Sequence, residues 1–220
     1  MDNKIKKIKC PYCGSTKTGE IQYGFPLYSE QRKEQIKSGE LKLGGCYVRT
    51  ATVNGKSIIV EPSKFCNNCK NRFGTPPVIY KNPHFYKEAC GKDYRDMVTT
   101  IRFKTDYTGG FTQVTIEKNE KGALVKVLSI CIRNENYSQK FNEKIQIPND
   151  KWRSILDKLY SDMYLHEWNE SYKNLNSPNG ERWSLEITME DQYKKIYSGS
   201  NAFPPYWPEL KMVFMTYTMK

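Results

Sequence analysis

Cys10-Pro11-Tyr12-Cys13-Gly14 and Cys66-Asn67-Asn68-Cys69 are two C-x-x-C knuckles within one chain. Each presents two thiols on a tight turn, and two such turns supply the four sulfurs that a tetrahedral Zn²⁺ takes. The pair predicts a zinc ribbon in the first third of the chain, with Cys10, Cys13, Cys66 and Cys69 as ligands of one zinc. Four thiolates fill the tetrahedron and leave no position for water, so the role expected of the ion is structural.

Residues 14–65 separate the knuckles, a stretch long for a minimal ribbon, and this insert is expected to carry structure. Residues 29–37 read as a short polar helix with Gly39 as its stop. Gly44-Gly45 then breaks the chain, and two β-rich runs, 46–53 and 56–60, flank Asn54-Gly55, a strong hairpin signal. Phe65 and Phe73 flank the second knuckle and are expected to pack over the ribbon. Thr75-Pro76-Pro77 marks its exit, and residues 81–97 have no clear period, as in a connector with one helical turn. This divides the chain into a zinc ribbon at 1–75, a connector at 76–97 and a second domain at 98–220.

From Val98 the pattern becomes one of strands. Ile101 and Phe103 alternate with Arg102 and Lys104; Gly109-Gly110 and then residues 119–122 turn the chain into runs 111–118 and 123–132. The latter is apolar on both faces, as an interior strand is. Phe141, Ile145 and Ile147 suggest a fourth strand closed by Pro148. Trp152, Ile155, Leu156, Leu159, Tyr160 and Met163 then form one helical stripe, with Asn149 and Asp150 both competent N-caps. A polar loop leads to alternating Trp183, Leu185, Ile187 and Met189, which residues 193–198 can pair. A last helix follows Pro208, burying Leu210, Val213, Phe214 and Tyr217. The fold class expected is α+β: a four-cysteine zinc ribbon with a β-hairpin insert, then an antiparallel sheet with two helices in the order β-β-β-β-α-β-β-α.

Four motifs in order, Cys10-Pro11-Tyr12-Cys13-Gly14-Ser15, Tyr23-Gly24-Phe25-Pro26, Leu43-Gly44-Gly45-Cys46 and Cys66-Asn67-Asn68-Cys69, resemble a group of uncharacterised bacterial zinc-ribbon proteins. The second half, through Asn179-Gly180-Glu181-Arg182-Trp183-Ser184-Leu185-Glu186-Ile187 and Gly199-Ser200-Asn201-Ala202-Phe203-Pro204-Pro205, resembles an uncharacterised bacterial α+β domain. The resemblance implies a four-cysteine zinc site and a two-part architecture, and it brings no catalytic residues.

The net charge of +11 is unevenly placed. Residues 1–97 hold 18 Lys and Arg against nine Asp and Glu, whereas residues 98–220 hold 17 against 15. Zinc on four thiolates would carry −2, leaving the first part strongly basic, as a phosphate backbone or an acidic surface would attract and as solubility alone would also explain. No apolar run reaches the length of a membrane span, and no apolar h-region follows the N-terminus, so a cytoplasmic protein is expected. Three cysteines outside the knuckles, Cys46, Cys90 and Cys131, argue against a disulfide framework.

Cys46 is read as a small buried hydrophobe before a reactive thiol, and Cys131 as core. The two histidines, His84 and His166, lie in no nucleophilic or metal motif, and His166 reads as completing a helix end. Glu186 with Lys194 and Lys195 could form a nuclease-like site only with Asp150 or Glu181, neither on a matching strand.

The function expected is therefore a zinc-binding, non-enzymatic module. Its first reading is nucleic-acid binding through Lys4, Lys6, Lys7, Lys9, Lys64, Lys70 and Arg72, by analogy with the common use of zinc ribbons. The alternative is a regulatory factor that docks a protein partner through Asn201, Phe203, Tyr206 and Trp207, whose aromatics could equally close the core. An enzyme acting around Glu186 and Asn201 ranks third.

Overall fold

The computed structural model describes residues 8–27, 29–80, 89–134, 137–174 and 180–218. Lys4, Lys6, Lys7 and His84 lie outside them. The chain forms two compact units, one of Met1–Asp96 with Tyr160–Glu167, the other of Met97–Leu159 with Trp168–Lys220.

In the first unit, β1 (Thr18–Tyr23), α1 (Glu30–Ser38) and β2 (Leu41–Gly45) make a β-α-β unit in which β1 and β2 run parallel. The ends of α1 are those expected. The Ser29 hydroxyl accepts from the Arg32 N–H, and Gly39 takes the left-handed conformation (φ 77°) that a side chain would resist. β3 (Thr50–Val53) and β4 (Lys56–Ile59) form the predicted hairpin on Asn54-Gly55, both with positive φ. β5 (Lys64–Cys66) and β6 (Arg72–Phe73) bracket the second knuckle, and β5 pairs with β1. β7 (Val78–Tyr80) and β8 (Ala89–Asp93) precede a helical turn, α2 (Tyr94–Met97). Two four-stranded sheets result, β2-β1-β5-β6 and β4-β3-β8-β7.

The insert thus holds more than a hairpin. β1 and β2 pair across an intervening helix, a non-local contact that Leu41-Lys42-Leu43 is too short to announce by periodicity. The hairpin itself builds the second sheet, where β3 also pairs in parallel with β8 from the stretch read as a connector.

The second unit is one seven-stranded sheet in the order β12-β11-β10-β9-β14-β15-β13. Its strands are β9 (Val98–Tyr107), β10 (Gly110–Asn119), β11 (Gly122–Asn134), β12 (Tyr137–Ile147), β13 (Ser171–Lys173), β14 (Arg182–Met189) and β15 (Lys194–Ser200). All pairs are antiparallel except β13 with β15, which extends the sheet from a stretch read as loop because three polar-flanked residues carry no period. The apolar alternation of β9 to β11 and β14 places Ile101, Phe103, Val114, Ile116, Val125, Val127, Leu185 and Ile187 on one buried face.

Two helices complete this unit, α3 (Asn149–Asp157) and α4 (Trp207–Met215). Phe214 of α4 stacks on Phe103, ring centroids 4.6 Å apart. The N-cap of α3 is Pro148, not Asn149 or Asp150, and it makes no side-chain cap bond. Pro148 ends β12 and its fixed φ starts the helix at once, so Asn149 is already helical. After Asp157 the helix widens into a π-type turn, Lys158–Asp162, and residues Tyr160–Glu167 belong to the first unit. No helix among the described residues is long and apolar enough to cross a membrane.

Phe214 is fully buried, whereas Met212, two residues away on α4, is exposed. Phe214→Ala should cost the second unit about 3–5 kcal/mol and Met212→Ala less than about 0.5 kcal/mol, read from urea unfolding followed by circular dichroism.

Candidate metal centre

The two knuckles are built alike. In the first, the Cys10 N–H donates to Ser15 O and the Gly14 N–H to Cys10 O, each 2.9 Å. In the second, the Cys66 N–H donates to Asn71 O at 2.9 Å and the Lys70 N–H to Cys66 O at 3.0 Å. The residue after the second cysteine is left-handed in both: Gly14 at φ 72° and Lys70 at φ 65°. Glycine suits this position; at the second knuckle a lysine holds it, its Nζ donating to Asn67 O at 2.6 Å.

Pairing of β1 with β5 sets Thr18, just past the first knuckle, opposite Cys66. The Asn67 N–H donates to Lys17 O, and its Nδ2 to Gly39 O, both at 2.8 Å. These bonds bring the four Sγ atoms within 4.8 Å of one another, with Cys10–Cys69 and Cys13–Cys66 each at 3.6 Å. A disulfide would need about 2.05 Å, whereas sulfurs around a tetrahedral ion with bonds of about 2.3 Å lie about 3.8 Å apart. The cluster therefore fits one metal ion held by four thiolates.

Cys10 and Cys66 are buried, Cys69 is half-buried and Cys13 is exposed. Burial pushes the Cys10 thiol up to about 12 against the N–H groups of Tyr12 and Cys13, which pull it down. Burial also raises Cys69. At Cys13, desolvation is outweighed by hydrogen bonding from the Ser15 N–H, Cys69, Cys66 and Asn68, which brings it down to about 7. A divalent cation inverts this balance, because four thiolates around it are stabilised by its charge.

Residues far along the chain brace the first knuckle. The Glu167 carboxylate accepts from the Thr75 N–H and hydroxyl at 2.8 Å. The Tyr12 phenol faces the same carboxylate, and burial followed by that charge raises it to about 12. His166 Nε2 donates to Thr75 O at 2.8 Å, which leaves Nδ1 as the unprotonated nitrogen, buried and without a hydrogen-bond partner among the described residues. The imidazole packs beside Tyr94 and Tyr160. Burial holds its pKa below 6.5, against the Thr75 hydrogen bond and the Asp93 charge, which raise it. Burial raises Glu167.

The other candidates fall in varied surroundings. Lys9 is half-buried, and Lys70 and Arg72 are exposed beside the knuckles. Lys64 is paired with Glu20. Cys46 is exposed rather than buried, because β2 has ended at Gly45 (φ 89°) and the thiol sits 3.9 Å from Gly24 O at the surface. Cys131 is half-buried near the end of β11. Glu186 is held by Arg102 at 3.3 Å and Lys194 at 3.2 Å, while Lys195 pairs with Glu170.

In the loop after β15, Tyr206 and Trp207 are buried; Trp207 lies against Trp183 and Phe203, and Tyr206 against Trp168. Phe203 keeps 38% of its surface and Asn201 is half-buried. The bracing by Tyr12, Thr75, His166 and Glu167 had no local signal, since the hydrogen bonds join residues 91 and 92 positions apart.

No family model matches the chain, no curated protein matches it, and no solved structure matches it. Of the resemblance drawn from the motifs, the four-cysteine cluster is what stands.

The unfolded imidazole takes its proton near 6.5 and the folded one only at lower pH, so unfolding takes up a proton and stability falls as pH drops below 6.5. Denaturation of the first unit between pH 7.5 and 6 should show this loss. The loss should be smaller in His166→Gln, whose amide can still donate to Thr75 O, while the thiols of the cluster keep their own pH dependence.

Proposed function

We propose that the chain is a structural zinc-ribbon protein that binds nucleic acid through the ribbon. The observation that carries the zinc assignment is the closed four-sulfur cluster, with both Sγ pairs at 3.6 Å. Thiolates select a borderline-soft ion, and four of them leave it no open position, so the metal holds the fold and activates no water. Lys9, Lys17, Lys70 and Arg72 lie in or beside the knuckles, and the last three are exposed. Together they outweigh the −2 of a zinc tetrathiolate and supply the charge that a phosphate backbone takes.

Metal analysis should give one zinc per chain, lost in Cys66→Ser together with protection of β5 and β6 amides from hydrogen exchange. Nuclease-treated protein should bind labelled DNA or RNA with affinity that falls as salt rises. Lys17→Glu with Arg72→Glu should lower the log–log salt slope by roughly 1–2. A zinc-loaded protein with salt-independent binding, or none at 50 mM salt, would leave the ribbon purely structural.

A further inference from the structure

Strand register decides which side chains share the face of the seven-stranded sheet opposite Phe103, because directly opposed residues point to the same side. α4 covers the face of Phe103. On the opposite face, one row runs Lys144, Lys126, Thr115, Arg102, Glu186, Ile196 from β12 to β15. A second carries Lys140, Ile130, Phe111, Asp106 and Arg182, and continues through Ser200 to Lys173 on β13. Rows between and beside them add Lys104 and Lys194, with Glu117 as the third acid.

The face therefore gathers eight Lys and Arg against three acids. Each acid is already matched: Glu186 by Arg102 and Lys194, Glu117 by Lys126, Asp106 by Lys104. Lys140, Lys144, Lys173 and Arg182 are exposed and have no acidic partner among the described residues. Residues 98–220 hold 17 cations and 15 acids, so the excess on this face is produced by folding, not by composition.

Apolar side chains interleave with the cations. Phe111 lies under Lys104 Nζ, 5.0 Å from the ring centroid, and Ile130 and Leu128 stand in adjoining positions on β11. Gln113, Ser184 and Ser198 supply hydrogen-bonding groups between them. A surface of repeating cations, apolar patches and polar side chains on a broad sheet fits a ligand with repeating anions and flat apolar rings. An extended single strand of nucleic acid has both, and a sheet face presents no helix to enter a duplex groove.

We propose that this sheet face binds single-stranded nucleic acid. It is a surface of the second unit, independent of the ribbon, and stands whether or not the ribbon binds.

The test uses the full, zinc-loaded chain and a labelled 20-nucleotide oligouridylate, titrated by fluorescence anisotropy across salt. A face triple, Lys144→Glu, Lys173→Glu and Arg182→Glu, is compared with a triple of equal charge change elsewhere on the unit, Lys121→Glu, Lys151→Glu and Lys158→Glu. All six lysines and arginines are exposed, and unfolding curves check that both triples remain folded. The face triple should bind about tenfold more weakly than the other and lose about 2 from the salt slope, some 0.7 for each phosphate contact. Adding Lys17→Glu and Arg72→Glu in the ribbon to both triples should leave that difference in place, which separates this surface from the ribbon. Equal loss in the two triples would overturn the proposal, showing an effect of net charge alone. So would the absence of oligonucleotide binding by the unaltered chain, or polyglutamate of matching charge binding as tightly, which would point to an acidic protein surface.

Discussion

Four thiols cannot sit 3.6 to 4.8 Å apart at low cost unless something offsets their charge or their loss of water. That constraint organises the first unit. It ties Cys10 to Cys69, 59 positions away, and everything between them must fit inside the loop so closed. The sheets of this unit are small, and the buried cluster of its second sheet centres on Ala51, Val53 and Val60. A metal held by the four thiolates would add to the stability of sheets this small.

The second unit is held together differently. Its sheet buries one continuous apolar face under helices, with Phe103 meeting Phe214 and Trp207, and Trp183 meeting Trp207. Here hydrophobic area does the work that the thiol cluster does in the first unit. The loop of residues 199–207 belongs to that core: Trp183 Nε1 donates to Ala202 O at 2.9 Å, and Gly199 lies so close to the same indole that a Cβ would meet its nitrogen at 2.1 Å. The aromatics that made the loop conspicuous are mostly spent on packing.

Much of this was legible in local patterns. Ser29 and Gly39 mark the ends of α1, Asn54-Gly55 marks a hairpin, and the alternation of Trp183, Leu185, Ile187 and Met189 marks a half-buried strand. Each is a short-range signal, in which a residue's own conformational preference or a period of two suffices. The parallel pairing of β1 with β2, the return of residues 160–167 to the first unit and the π-type turn after Asp157 have no such signal. They depend on contacts between distant segments, to which neighbouring residues are indifferent.

By itself the sequence determined the four cysteines of the cluster, because thiols in pairs separated by two residues can present sulfurs from one tight turn, and it determined the apolar face of the large sheet. Tertiary structure decided which cations stand together. Residues 98–220 are close to neutral read in order, yet strand pairing places Lys144, Lys126 and Arg102 in one row while most acids fall in turns, on the helices or on the other side of the sheet. The reason is geometric: alternation along a strand is local, but the register that sets one strand's side chains beside another's is fixed only when the sheet closes.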